Sequence, residues 1–252
     1  MNKVEAREQV WSMLRKVARP DSRFDFDFEQ YIPDFEGSHA ATDRLIATGA
    51  YAEAAVLFIT PDNCLEDLRA QAIRDHKVQL VSTYGIRRGL LELRPEAVRP
   101  GSEQYAATLD GLEVLGSKLS LAQLQAHYPR VDLVVTGASA VSRTGVRFGK
   151  GHGYFDLEWA MLYELGMVEP STPVIVLAHD CQVVDVDLTP SAFDSVCDWI
   201  VTPTRTIQVP DPHKPTVGIM WERLAPGMME AIPPLRELQE MQRSGSLRRA
   251  HG

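Results

Sequence analysis

The stretch Arg147-Phe148-Gly149-Lys150-Gly151-His152-Gly153-Tyr154-Phe155-Asp156 alternates three glycines with side chains that can bind charge. Glycine permits positive φ and close backbone approach, so successive amide N–H groups can converge on an anion; a helix starting directly afterwards adds the positive end of its dipole. Phosphate is the guest this chemistry favours. Lys150 and Arg147 would supply countercharge, and Asp156 could hold Mg²⁺ beside the phosphates, directly or through water. The same glycines would also serve a plain tight turn. The spacing Gly-x-Gly-x-Gly lacks the third-glycine offset of the dinucleotide fingerprint, and Lys150 is followed by Gly151 where a P-loop has Ser or Thr.

His179-Asp180 is a second candidate, because a histidine beside a carboxylate invites acid/base chemistry. Neighbours on a strand point to opposite faces, yet at the end of a parallel strand both could line the ligand crevice. Cys64, Cys181 and Cys197 form neither an even set nor a metal-ligand spacing. They are expected to be small buried hydrophobes in a reducing compartment.

These residues need a scaffold. Ala54 to Ile59 is a continuous apolar run closed by Thr60-Pro61-Asp62, which suits a buried parallel strand. Val78 to Val81, Asp132 to Val135, Pro173 to Leu177 and Trp199 to Val201 repeat that signature. Helical patterns lie at Leu65 to Asp75, Leu119 to His127 and Phe155 to Leu165, so the chain predicts βαβ units and an open, mostly parallel sheet. Before them, Val4 to Ala18 reads as an amphipathic helix, Phe24 to Phe28 as a short strand, and Ala40 to Thr48 as a helix. One α/β domain over residues 1–225 is expected, followed by a polar, mobile tail over 226–252 that ends near Arg248 and Arg249.

The full chain has 252 residues, 44% of them hydrophobic, enough for a sizeable core, and a formal net charge of −8. That charge disfavours nucleic acid as a partner. No apolar run reaches the roughly 20 residues that span a bilayer, and the N-terminus lacks a signal-peptide pattern, so no membrane partner and a cytoplasmic location are expected.

Residues Asp132 to Asp156 resemble, without gaps, the strand, loop and Gly-x-Gly-x-Gly-Tyr-Tyr-Asp pattern of the 5-formyltetrahydrofolate cyclo-ligase family. Lys3-x-x-Ala6-Arg7 resembles the family's Lys-x-x-Leu-Arg, whose basic residues face ATP phosphates. Gln182 and the run Asp194 to Pro203 resemble further family segments. Ile32 to Gly37, Gly153 to Glu158, His179 to Asp185 and Thr202 to Arg205 look like the methenyltetrahydrofolate synthetase domain-containing branch. The resemblance implies a three-layer α/β/α fold related to CoA-transferase and ribose-phosphate isomerase domains, with ATP on the glycine loop and Mg²⁺ alongside. Loop and resemblance together give Lys3, Arg7, Gly149, Lys150, Gly151, His152, Gly153, Tyr154 and Asp156 as the nucleotide site. Asp156 would serve the metal, and Lys150, Arg147 and Tyr154 the reaction.

The chain departs from the family at the organic-substrate end. Val141-Ser142 stands where cyclo-ligases carry Phe-Asp, Tyr84-Gly85 where they carry Pro-Arg, and Leu157 replaces an Arg, with Glu158 an added carboxylate. The implied activity is an ATP-dependent, C–N bond-forming ligase acting on a small-molecule substrate, a reduced folate or analogue. The alternatives are a related ATP-using enzyme on another substrate, such as a thiamin-related one, and a folate or nucleotide sensor without turnover.

Overall fold

The computed structural model describes residues 3–151, 153–186 and 190–247, with side chains from residue 7 onward. In chain order its strands are β1 (Val56–Ile59), β2 (Val78–Ser82), β3 (Leu90–Leu93), β4 (Ser117–Leu119), β5 (Leu133–Gly137), β6 (Ala140–Ser142), β7 (Arg147–Phe148), β8 (Val174–Leu177), β9 (Val183–Val184), β10 (Trp199–Val201) and β11 (Thr206–Gln208). The helices are α1 (Lys3–Leu14), α2 (Ser38–Ile46), α3 (Gly49–Glu53), α4 (Glu66–Arg74), α5 (Glu103–Ala107), α6 (Leu109–Leu115), α7 (Leu121–His127), α8 (Tyr154–Glu164), α9 (Met228–Ala231) and α10 (Pro233–Ser244).

The apolar runs form the centre of an eight-stranded sheet of order β11-β10-β8-β5-β1-β2-β3-β4. From β10 to β2 the pairs are parallel, and the rims at β11 and at β3–β4 are antiparallel. Side chains alternate between two covered faces, as a strand's period of two requires. Leu57, Ile59, Leu133, Val135, Ile175 and Leu177 pack with residues of α2 and α4. Phe58, Val134 and Val176 pack with α7, α8 and α10 on the other side. These are the three layers expected, with a mostly parallel sheet.

Several expectations change. Phe24, Phe26 and Phe28 lie in turns joined by an Asp21–Asp25 bridge, because each aromatic stacks into a cluster with Trp11 and Tyr31 instead of pairing along a strand. The expected tail is instead a docked helix: Ile232, Leu235, Leu238 and Met241 of the α10 region are buried in the main core. Leu235, Leu238 and Met241 recur every three residues, close enough to the helical repeat to make one apolar stripe. Arg248 and Arg249 lie outside the described residues.

A second, three-stranded sheet of order β7-β6-β9 stands beside the first. Its hairpin pairs Ala140 with Phe148 and Val141 with Arg147, which delivers the glycine loop to the start of α8.

Candidate active site

A cavity of about 290 Å³ opens where the carboxyl ends of β1 and β2 meet the glycine loop, and its lining includes Thr60, Asp62, Tyr84, Gly85 and Lys150. The strand order runs outward in both directions from β1 and β5, so the cavity lies at the switch point where open parallel sheets bind ligands.

Gly151 has φ +101° and Gly153, capping α8, has φ +69°. Both lie where a side chain is strained. Above the loop stand two guanidiniums: a Cβ at Gly149 would sit 3.2 Å from Arg147 Nη1, and one at Gly151 2.8 Å from Arg7 Nη1. Arg147 is fixed by donating from Nε to the Gly137 carbonyl at 2.6 Å and by lying 4.7 Å over the Phe155 ring. Arg7 lies 5.0 Å over Trp11, and its buried Nε has no hydrogen-bond partner among the described residues. Lys150 donates to the Gln30 carbonyl at 2.9 Å and lies 4.9 Å from Tyr84 and 5.9 Å from Tyr154 ring centres. Burial pulls its ammonium below the usual lysine range. Among the described residues none of these three cations is paired with a carboxylate.

Asp156, in the first turn of α8, accepts from the Ser195 N–H at 3.0 Å and the Ser195 hydroxyl at 2.9 Å, both on Oδ1. Burial pushes its carboxyl up, with Arg147 and Ser195 opposing. Among the described residues only Oδ1 is engaged, and the residue lines the cavity. Among the described residues no three His, Cys, Asp or Glu side chains cluster as a metal site. Mg²⁺ commonly binds through one or two carboxylates plus substrate phosphates, so Asp156 fits that ion only together with a nucleotide.

Of the expected site residues, the cavity gathers Arg7, Arg147, Gly149, Lys150, Gly151, Gly153, Tyr154 and Asp156. Lys3 opens α1, but its side chain, like His152 altogether, lies outside the described residues. His179 and Asp180 serve the fold. His179 Nδ1 accepts from the Cys181 N–H at 3.1 Å, and Asp180 binds the hydroxyls of Thr202 and Thr204 and the Arg205 guanidinium. Val141 and Ser142 are buried within the small sheet and do not line the cavity, whereas Tyr84 and Gly85 do. Cys64 and Cys197 are buried, and burial raises both thiols, that of Cys197 to about 12.

Three carboxylates in the cavity, Asp62, Glu158 and Asp194, have no role assigned from sequence. Asp62 accepts from Thr60 Oγ1 at 2.5 Å and the Gly137 N–H at 2.9 Å, which ties the ends of β1 and β5 together. Its position after an apolar run was the available signal. Glu158 is 4% exposed and accepts from the Ser82 hydroxyl at 2.5 Å. Burial first, then the charge of Asp62, push its carboxyl up to about 8 against the opposing pull of Ser82, Arg147 and Lys150.

The family model of the 5-formyltetrahydrofolate cyclo-ligase family matches residues 1–203. The methenyltetrahydrofolate synthase domain-containing protein of Homo sapiens is 34% identical over 242 residues, covering 95% of this chain and 62% of the relative. That of Mus musculus is 33% identical over 249 residues, covering 96% of this chain and 64% of the relative. The chain therefore spans less than two thirds of the length of these curated relatives. The NMR structure of Aquifex aeolicus 5,10-methenyltetrahydrofolate synthetase shares the fold at TM-score 0.52 and 16% identity, covering 88% of this chain and all of that one. The three-layer fold with a glycine loop at the sheet's switch point, taken with the match of the family model, marks a cyclo-ligase-like protein. The chain belongs to the 5-formyltetrahydrofolate cyclo-ligase family.

Proposed function

We propose that the cavity binds the phosphates of ATP, and that the protein uses ATP to activate an acyl-type oxygen on a reduced folate or analogue, in the manner of a C–N bond-forming ligase. The observation that carries this reading is the convergence of Arg7, Arg147 and Lys150 on a glycine loop, with none of the three in direct ion-pair contact with a carboxylate among the described residues. Burying unpaired cations is costly, and a polyanion offsets that cost. Phosphoryl transfer asks mainly for positioning and charge stabilisation, which this arrangement supplies. Asp156 would hold Mg²⁺, whose chemistry when bound is to neutralise charge on the transferring phosphate.

The organic end is walled by Tyr31, Tyr84, Tyr154 and Ile32. Tyr84 occupies the position of the family's Pro-Arg element, which favours an altered substrate. The test is phosphate release from ATP with and without 5-formyltetrahydrofolate, read beside absorbance of a methenyl product. ATP binding with phosphate release supports the reading; a protein that does not bind ATP refutes it. Binding without turnover would favour a nucleotide sensor.

A further inference from the structure

Of the exposed large hydrophobic side chains among the described residues, Phe193 is the one that lines the cavity, and it is 37% exposed. An aromatic left in water forgoes the gain its apolar surface would have in the core, so the backbone around it must hold it out. It does so on both sides. The Ser191 N–H donates to Asp194 Oδ2 at 2.8 Å, and the Asp194 N–H donates to the Ser191 carbonyl at 3.1 Å, which closes a turn around Phe193. Ser195 donates twice to Asp156 at the start of α8, and Val196 bridges Val146 of the glycine-loop hairpin. The ring is thus presented at the rim of the cavity by an anchored turn.

One face of that ring is taken. The Arg223 guanidinium lies 5.6 Å from its centre, and Arg223 is not part of the cavity lining, so the ring meets the cavity on another side. The remaining aromatics of the lining are covered or engaged. Tyr31, Phe148 and Phe155 are buried, and Tyr84 stacks on Phe24 at 5.5 Å with Lys150 over it. Topology also separates Phe193 from Tyr84. Tyr84 follows β2 and Phe193 lies in the segment leading into β10, while β5, from which the chain runs on to the glycine loop, stands between β2 and β10 in the sheet. A phosphate chain on the loop therefore has an aromatic wall toward each end. A nucleotide carries its aromatic group at one end only, and the terminal phosphate, which must meet the organic substrate, is at the other.

We propose that Phe193 is the platform on which the base of the nucleotide stacks, with Arg223 positioning the ring from its far face, and that the organic substrate takes the Tyr84 side. Phe193 then selects a nucleoside polyphosphate over a bare phosphate chain. Every base has a π face, and a phenyl ring has no donor or acceptor with which to read a base edge, so this contact adds affinity without choosing among bases.

This inference rests on the nucleotide reading, and one experiment separates the two. ATP and inorganic tripolyphosphate, each with Mg²⁺, are titrated by calorimetry into the full chain, with wild type and Phe193→Ala side by side. The truncation should weaken ATP about five- to tenfold, the low end of what losing a stacked base costs, and leave tripolyphosphate within about twofold. Equal weakening of both ligands, or no weakening of either, overturns the proposal while leaving nucleotide binding intact. A wild type that binds no ATP removes the nucleotide reading and this proposal with it. Phe193→Trp is the second variant. It should keep its affinity for ATP, and ATP should quench its fluorescence beyond any quenching in wild type, whose own tryptophans are common to both proteins. No excess quenching refutes the platform, whether or not tripolyphosphate binds tightly enough to titrate.

Discussion

Replacing Glu158 by Gln should flatten the pH dependence of stability that this one residue imposes on the folded chain. The carboxyl is buried and lies at about 8 in the folded protein against an ordinary 4.5. The folded state therefore keeps the proton over a range where the unfolded state has released it. A raised folded value contributes stability that is fully present below the unfolded value and is lost as pH rises through the folded one. At about 1.4 kcal/mol per pH unit, the interval from 4.5 to about 8 amounts to roughly 5 kcal/mol. Urea unfolding of both proteins from pH 5 to pH 9 reads this directly. The wild-type stability minus that of Glu158→Gln should fall by about 1.4 kcal/mol per unit between roughly pH 5 and 8, then level off. Asp156, also raised by burial, is present in both proteins and cancels. A difference that stays flat across that range would refute the assignment of Glu158 as a buried acid, whatever the absolute stabilities.

Gly151→Val should weaken ATP binding at least about tenfold in calorimetry while circular dichroism stays unchanged, because the new Cβ would meet Arg7 Nη1 at 2.8 Å on a backbone of φ +101°. Asp156→Asn keeps an acceptor for Ser195, so it should lose Mg²⁺-dependent ATP affinity more than metal-free affinity; equal losses would count against a metal role. Leu235→Ala removes a fully buried side chain of α10 and should cost about 2–5 kcal/mol in chemical denaturation with little change in ATP affinity. Methenyltetrahydrofolate formation from 5-formyltetrahydrofolate should be far slower than by an authentic cyclo-ligase assayed in parallel, since a substrate whose polar groups find no partners in the site can react slower by factors of roughly 10⁴. A comparable rate would show that Tyr84 and its neighbours still recognise that substrate.

The parallel centre of the sheet was legible because strands covered on both faces must be apolar throughout, as Val56–Ile59 and Val174–Leu177 are. The rim strands were not. Thr206–Gln208 is largely exposed and carries no apolar run, and Glu92 interrupts Leu90–Leu93 while reaching Tyr128 and Arg94. Helix α10 hid its stripe among charges at Arg236, Glu237, Glu240 and Arg243. In the site, the glycine loop and its cations were readable because they are contiguous or near a terminus. Ser195 reaches Asp156 from 39 residues away and Ser82 reaches Glu158 from 76, so neither contact leaves a local pattern.

The ladder of strands also sets where the molecule can breathe. β1 and β2, whose ends line the cavity, and β5, tied to the end of β1 through Asp62, each have a bonded neighbour on both sides, whereas β4 and β11 each end the sheet. Amide hydrogens at the two rims should exchange with solvent through small local openings, while those of the three central strands should wait for opening of the whole sheet. A protease or a destabilising change that works in from an edge would then shorten the protein's lifetime well before it loosened the grip on a ligand.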